Sequence, residues 1–130
     1  MSLAVFGESG SADEITRVVA IAPSRAWKAG DPVQGRPTAV HRHSTWLLRS
    51  PVTGDVSAEE SLQGLLDLLP DKTAFQRLPS QLTVEVRVVI YGHGMQPGFW
   101  LSAASVQALS EIGASLDVDA YYLPAPLETD

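Results

Sequence analysis

Six side chains in this sequence have the types and spacing to hold or transform a ligand. Arg25, Trp27 and Lys28 stand within four positions of one another in "SRAWKAGD", which brings an arginine fork, an aromatic plane and an ammonium together. Such groups can hold a carboxylate or phosphate while the indole packs on an apolar part of the same ligand. His41 and His43 lie two apart, the spacing that places both imidazoles on one face of a strand and could begin a zinc or iron site. A third ligand would have to come from His93, Asp117 or Asp119, and nothing in the sequence brings one of them near. His93, between Gly92 and Gly94 in "YGHGMQPGFW" (residues 91–100), is the chemically capable side chain of that stretch. The expectation is a ligand- or anion-binding group drawn from Arg25, Trp27, Lys28, His41, His43 and His93. No metal and no cofactor are expected, because the chain has no cysteine and its three histidines are split between distant segments.

Each of these features also has a plainer reading. In "YGHGMQPGFW", Pro97-Gly98 suits the central pair of a type II turn, so the stretch is expected to join residues 82–91 to an antiparallel strand at 98–101 through a loop at 92–97. A phosphate cradle would want its glycines to lead straight into a helix. "FGESGSADEI" does run from strand to helix. It lacks the lysine and hydroxyl residue of a nucleotide loop, and its second glycine comes one position early for a nucleophile elbow. Asp117 and Asp119 share a strand face, as paired catalytic carboxylates would, but their period is that of a solvated strand face or of cross-strand pairing with Arg87. No complete catalytic constellation emerges, so no residue is assigned a catalytic role.

The elements that must position these groups follow from periodicity. "SLAVFGESGSADEITRVVA" reads as a short strand, a glycine turn and a helix with Ser11 and Glu14 as a capping box and Ile15, Val18 and Val19 as its stripe. A long loop rich in proline and glycine follows, covering residues 23–43. "HSTWLLRS" is a strand, and Ser57 with Glu60 caps a helix whose Leu62, Leu65, Leu66 and Leu69 share one face up to Pro70. A shorter turn passes through Phe75 and Leu78. "LTVEVRVVIY" is the clearest strand, alternating apolar and mainly polar positions. Ser102 should cap a helix carrying Val106, Leu109 and Ile112, and "SLDVDAYYL" closes the fold as a strand, with residues 124–130 as a frayed tail. The order β-α-β-α-β-β-α-β predicts one α+β domain over residues 1–130. It should be a two-layer sandwich with a mixed or mostly antiparallel sheet, helices on one face, and a ferredoxin-like relationship.

Composition bounds the rest. With 45% hydrophobic and 18% charged residues, the chain is globular, and a domain of 130 residues buries a sizeable core. It has neither an apolar run of membrane-spanning length nor the basic start of a signal peptide, so a soluble, cytoplasmic protein is expected. The net charge of −6 argues against nucleic acid and anionic membranes as partners. The charge is unevenly spread: residues 15–50 hold six basic side chains against Asp31 alone, a local +5, with −11 in the remainder.

Four stretches, taken together, resemble a bacterial family known as a domain of unknown function, number four-two-seven-nine of that series. They are the early strand and helix, "IAPSRAWKAGDP", "STWLLRS" and "LSEIGASLDVDAYY", and their order and spacing span nearly the whole chain. The resemblance implies a small single-domain α+β protein and supplies no activity, cofactor or catalytic residue. Function is therefore expected from the residues alone. The first expectation is a non-catalytic binding or protein-interaction module, inhibitory or regulatory, with a protein partner or a small anionic ligand. The alternative is a small enzyme or anion-binding protein with a site around the 23–43 loop. The position of Trp27 discriminates: in a concave surface shared with Arg25 or Lys28 it marks a site, and fully buried it marks the edge of a core.

Overall fold

A period of two residues in the strands and of 3.6 in the helices sorts the chain into two layers. The computed structural model describes residues 1–93 and 98–123. In chain order the elements are β1 (Ser2–Gly7), α1 (Ala12–Val19), β2 (Arg25–Trp27), β3 (Pro32–Val33), β4 (Arg36–Val40), β5 (Ser44–Arg49), α2 (Ala58–Asp67), a 3-10 helix (Lys72–Arg77), β6 (Thr83–His93), α3 (Ala103–Ile112) and β7 (Ser115–Leu123). Five strands form one mixed sheet in the order β2-β5-β1-β6-β7, antiparallel except for the parallel pair β6–β7. The expected two-layer α+β sandwich is what forms. Beyond the layers, the pairing has its own character: β6, α3 and β7 make an adjacent parallel unit in place of the interleaved strands of a split β-α-β arrangement.

Alternate strand residues build the core. Leu3 and Val5 of β1, Trp46 and Leu48 of β5, and Val86 and Val88 of β6 meet Ile15 and Val19 of α1, Leu62, Leu65 and Leu66 of α2, and Leu109 and Ile112 of α3. Ser11 accepts the Glu14 N–H at 3.1 Å and Ser57 that of Glu60 at 3.1 Å, so both capping boxes close at their backbone donors. Among the described residues no helix is long and apolar enough to cross a membrane.

Three expectations are corrected by the pairing. Gly98–Leu101 is not a strand: β7 takes one side of β6 from Glu85 to His93, β1 covers the other side only as far as Arg87, and beyond that point residues 98–100 stand across a concavity from β6 without pairing to it. β6 instead continues two residues beyond Tyr91, and the turn expected at Pro97 lies outside the described residues, as does the tail at 124–130. The 23–43 segment is not a bare loop. It contributes β2 to the main sheet and a separate hairpin, β3–β4, whose turn uses Gly35 at φ +80°, a left-handed conformation that costs glycine little. Finally, Val106 of α3 faces solvent, and the buried stripe is Ser105, Ala108, Leu109 and Ile112.

One helix position reveals how closely the layers pack. Gly64 sits inside α2, where glycine costs about 1 kcal/mol relative to alanine. A Cβ there would collide with the Val52 side chain and touch Ser50 Oγ at 3.5 Å. That neighbourhood is itself fixed, since Ser50 Oγ donates to the Ser61 carbonyl at 2.7 Å and Ser61 Oγ to the Val52 carbonyl at 3.2 Å. Overpacking costs about 1–3 kcal/mol and outweighs the propensity gain. Gly64→Ala is therefore expected to destabilise the domain by about 1 kcal/mol in urea denaturation, and an unchanged or higher midpoint would contradict that packing.

Candidate functional site

The C-terminal end of β1 turns through Ser9 and Gly10 into α1, and β2 with the turn after it rises beside that junction. Between them lies a concavity of about 360 Å³, within the range of small-molecule sites. One wall is Ser9, Gly10, Ser11, Ala12 and Ile15; the other is Ala26, Trp27, Lys28 and Asp31, with Ser44, Thr45 and Leu82 completing it. Trp27 is only partly buried, while Lys28 is exposed. Trp27 is thus not fully buried, and it shares a concave surface with Lys28 and not with Arg25.

The chemistry of this space is mixed. Lys28 N–H donates to Asp31 Oδ2 at 2.8 Å, Asp31 N–H returns a bond to the Lys28 carbonyl at 3.0 Å, and Ala29 N–H donates to Ser44 Oγ at 3.1 Å. These bonds tie the Lys28–Asp31 turn to the start of β5. Opposite, Ser11 takes the Glu14 N–H, and the first-turn N–H groups of Ala12 and Asp13 have no acceptor within the helix, as at any helix start. The start of α1 and Lys28 therefore line one space whose one carboxylate, Asp31, already accepts a hydrogen bond from the backbone.

The other expected site residues go elsewhere. Arg25 and His41 pack on Trp27 outside the concavity's lining: the Arg25 guanidinium carbon lies 5.5 Å from the ring centroid, and the His41 ring stacks at 4.6 Å with 25° between planes. His43 takes a different aromatic, meeting Phe6 edge-on at 5.8 Å. The notion of two imidazoles on one strand face is corrected, because residues 41–43 lie between β4 and β5, in neither. Their backbone is committed too: His41 N–H donates to the Asp31 carbonyl at 2.9 Å and its carbonyl accepts from Gly30 at 2.8 Å. His93 ends β6 in register with Leu123, ten residues from Thr83, which pairs with Phe6. At about 3.3 Å per residue, that puts it roughly 30 Å along the sheet from the His43–Phe6 pair. Among the described residues no three His, Asp or Glu side chains converge as a metal site.

Asp117 and Asp119 belong to β7, on the far side of β6 and β1 from the concavity. Arg87 does not pair with them. It donates to Glu85 Oε1 at 2.9 Å and its guanidinium lies 5.0 Å from the Phe6 ring centroid. Arg87 is opposite Ser2 and Phe6 is four residues further along β1, so cation and ring meet over Ala4, which is fully buried on the sheet face without helices.

A second polar group escaped sequence reasoning. Glu59 of α2 accepts from Ser102 N–H at 3.0 Å, Ser102 Oγ at 2.6 Å and Ser105 Oγ at 2.5 Å, and Gln63 Nε2 donates to Ser105 Oγ at 2.8 Å. The hydroxyl of Ser102, then that of Ser105 and the Ser102 backbone N–H, hold the Glu59 carboxyl down to about 2, with burial opposing. So acidic a group cannot act as a general base near neutral pH. It is an anchor: a carboxylate from one helix caps the positive N-terminus of another. A wider concavity of about 670 Å³, between residues 52–61, the end of β6 and Gly98–Trp100, has Asp55 as its single charged side chain among the described residues and brings no set of reactive groups together.

No curated protein and no solved structure matches the chain. A family model does, that of a domain of unknown function (DUF4279), over residues 1–123. Strand, helix, concavity and sheet edge all fall inside that span, and the chain belongs to the DUF4279 family.

Proposed function

We propose that the domain is a non-catalytic binding module that holds a small anionic molecule in the concavity between the start of α1 and the Trp27–Asp31 segment. The observation that carries this reading is the convergence of Lys28 and the α1 N-terminus on one space that Trp27 also walls. The carboxylate or phosphate of the ligand sits by Ser11, Ala12 and Lys28, where N–H groups, helix dipole and ammonium act together. Asp31 would repel an anion placed against it. The ligand's remaining part therefore carries hydrogen-bond donors toward Asp31 and apolar surface toward Trp27, Ile15 and Leu82. Binding without turnover suits a concavity whose hydroxyls, on Ser9, Ser11, Ser44 and Thr45, have no histidine beside them in its lining.

The test is calorimetric titration with inorganic phosphate, a sugar phosphate and a small dicarboxylate. Lys28→Glu is expected to weaken the best of these at least tenfold, about 1.4 kcal/mol, with an unchanged melting temperature. Arg25→Glu, outside the lining, should change affinity little. Equal affinity in the Lys28 variant, or no binding by any of the three at millimolar concentration, would sink this reading.

A further inference from the structure

The sheet has two edges, and they are managed differently. β2 is three residues long, and the β3–β4 hairpin follows it closely in the chain. β7 is nine residues long, pairs among the described residues with β6 on one side only, and keeps an unbroken register from Ser115 opposite Glu85 to Leu123 opposite His93. Natural sheets blunt such an edge with charged side chains, lysine above all, with proline, a bulge or brevity. The charges of β7 are the carboxylates of Asp117 and Asp119, which repel an acidic or identical strand and leave a basic one admissible. "SLDVDAYYL" contains no proline and no lysine, and its register is not interrupted by a bulge. One row of its backbone N–H and C=O groups is therefore open to another strand.

The side chains along that edge describe what would pair with it. On the helix side Leu116 and Val118 are 38% and 39% exposed, where the corresponding β6 residues Val86 and Val88 are buried. On the other side Asp117 and Asp119 are exposed, followed by Tyr121, which stacks on Tyr91 at 5.6 Å. Arg87, the cation in register with Asp117, is taken by Glu85, and among the described residues neither aspartate has an ion-pair partner. An incoming strand would thus meet apolar positions alternating with unneutralised carboxylates.

We propose that β7 is a docking edge for an extended, basic segment of a partner protein, which adds to the sheet as a sixth strand. Lysine or arginine at alternate positions of that segment would face Asp117 and Asp119, and apolar residues between them would cover Leu116 and Val118. A second copy of the chain is a poor occupant. In the antiparallel register that pairs the whole of β7 with itself, Asp119 meets Asp119, and each chain brings a net charge of −6. This edge lies across the sheet from the anion-binding concavity, so either reading can fail without the other.

The probe is a nine-residue peptide of alternating lysine and valine, compared with its glutamate–valine counterpart, using fluorescence anisotropy and amide hydrogen exchange on the full chain. The lysine peptide should bind at least tenfold more tightly than the glutamate one, and should slow exchange at alternate amides of residues 115–123 by tenfold or more. Asp117→Asn with Asp119→Asn should remove most of the charge preference. Either single substitution, at an exposed position, gives an intermediate loss should the double variant misfold. Binding without protection of β7 amides, a preference unmoved by the aspartate variants, no binding by the lysine peptide, or protection of β7 by self-association of the free chain would each overturn the proposal.

Discussion

Replacing Trp46 with alanine is expected to cost about 3–5 kcal/mol, the largest loss to be had from a single side chain of this core. Trp46 is fully buried near the middle of β5, with Val5 of β1 on one side in register and Ala26 of β2 on the other. Its indole N–H donates to Thr16 Oγ1 of α1 at 3.1 Å, and its ring meets Phe75 edge-on at 6.1 Å. One side chain therefore joins three strands to a helix and to the 3-10 turn. A domain of this kind is stable by only about 5–15 kcal/mol, so the alanine variant should be partly unfolded at physiological temperature. Trp46→Phe keeps much of the volume and loses the indole hydrogen bond, at about 1–2 kcal/mol. Urea denaturation of both variants checks the ranking; a loss below about 1 kcal/mol for alanine would mean that Trp46 is not the centre of the core.

Glu59→Ala should lower the melting temperature by roughly 5–10 °C at neutral pH, because it removes the acceptor for three donors and leaves the buried hydroxyl of Ser105 with poorer partners. The same group sets a pH dependence whose sign can be worked out. The folded carboxyl titrates at about 2, below the ordinary 4.5. Its contribution is thus fully present above pH 4.5 and is lost as pH falls toward 2. Asp71, lowered mainly by the Thr73 hydroxyl and then its backbone N–H, acts in the same direction. Melting curves between pH 7 and pH 2 should show the wild type losing stability on the acid side and Glu59→Gln losing less over that interval. Parallel curves would show that Glu59 is not the anchor between α2 and α3.

Much of this architecture was legible because burial imposes a period. Leu62, Leu65, Leu66 and Leu69 announced α2, and the alternation from Leu82 to Ile90 announced β6, since each pattern fits one packed face only. What the sequence withheld was pairing. A strand of three residues such as Arg25–Trp27 is too short to show a period, and the glycines and proline of residues 92–98 suited a turn equally well whether or not a paired strand followed it. Leu116 and Val118 alternate just as core residues would, and alternation cannot distinguish a central strand from an edge that the helices leave uncovered.

The candidate site was legible only in part. Trp27 and Lys28 could be picked out by type, and their concave setting needed the α1 start, which is brought alongside by the sheet and not by sequence distance. Arg25 and His41 were grouped with them by proximity in the chain, and in space they pack on Trp27 outside the cavity's lining. Glu59 gave no signal, since an acid in the first turn of a helix ordinarily faces water, and its partners Ser102 and Ser105 are more than forty residues away.

Whether the concavity beside Trp27 holds an anionic group can be read residue by residue in an amide-and-indole NMR titration of the labelled protein with inorganic phosphate and a small dicarboxylate. Saturable shifts are expected at Ser9–Ala12, Trp27 Nε1–H, Lys28 and Ser44, all absent or at least tenfold weaker in Lys28→Glu. Shifts confined to other surfaces, or none at these residues up to millimolar anion, would contradict binding in that space.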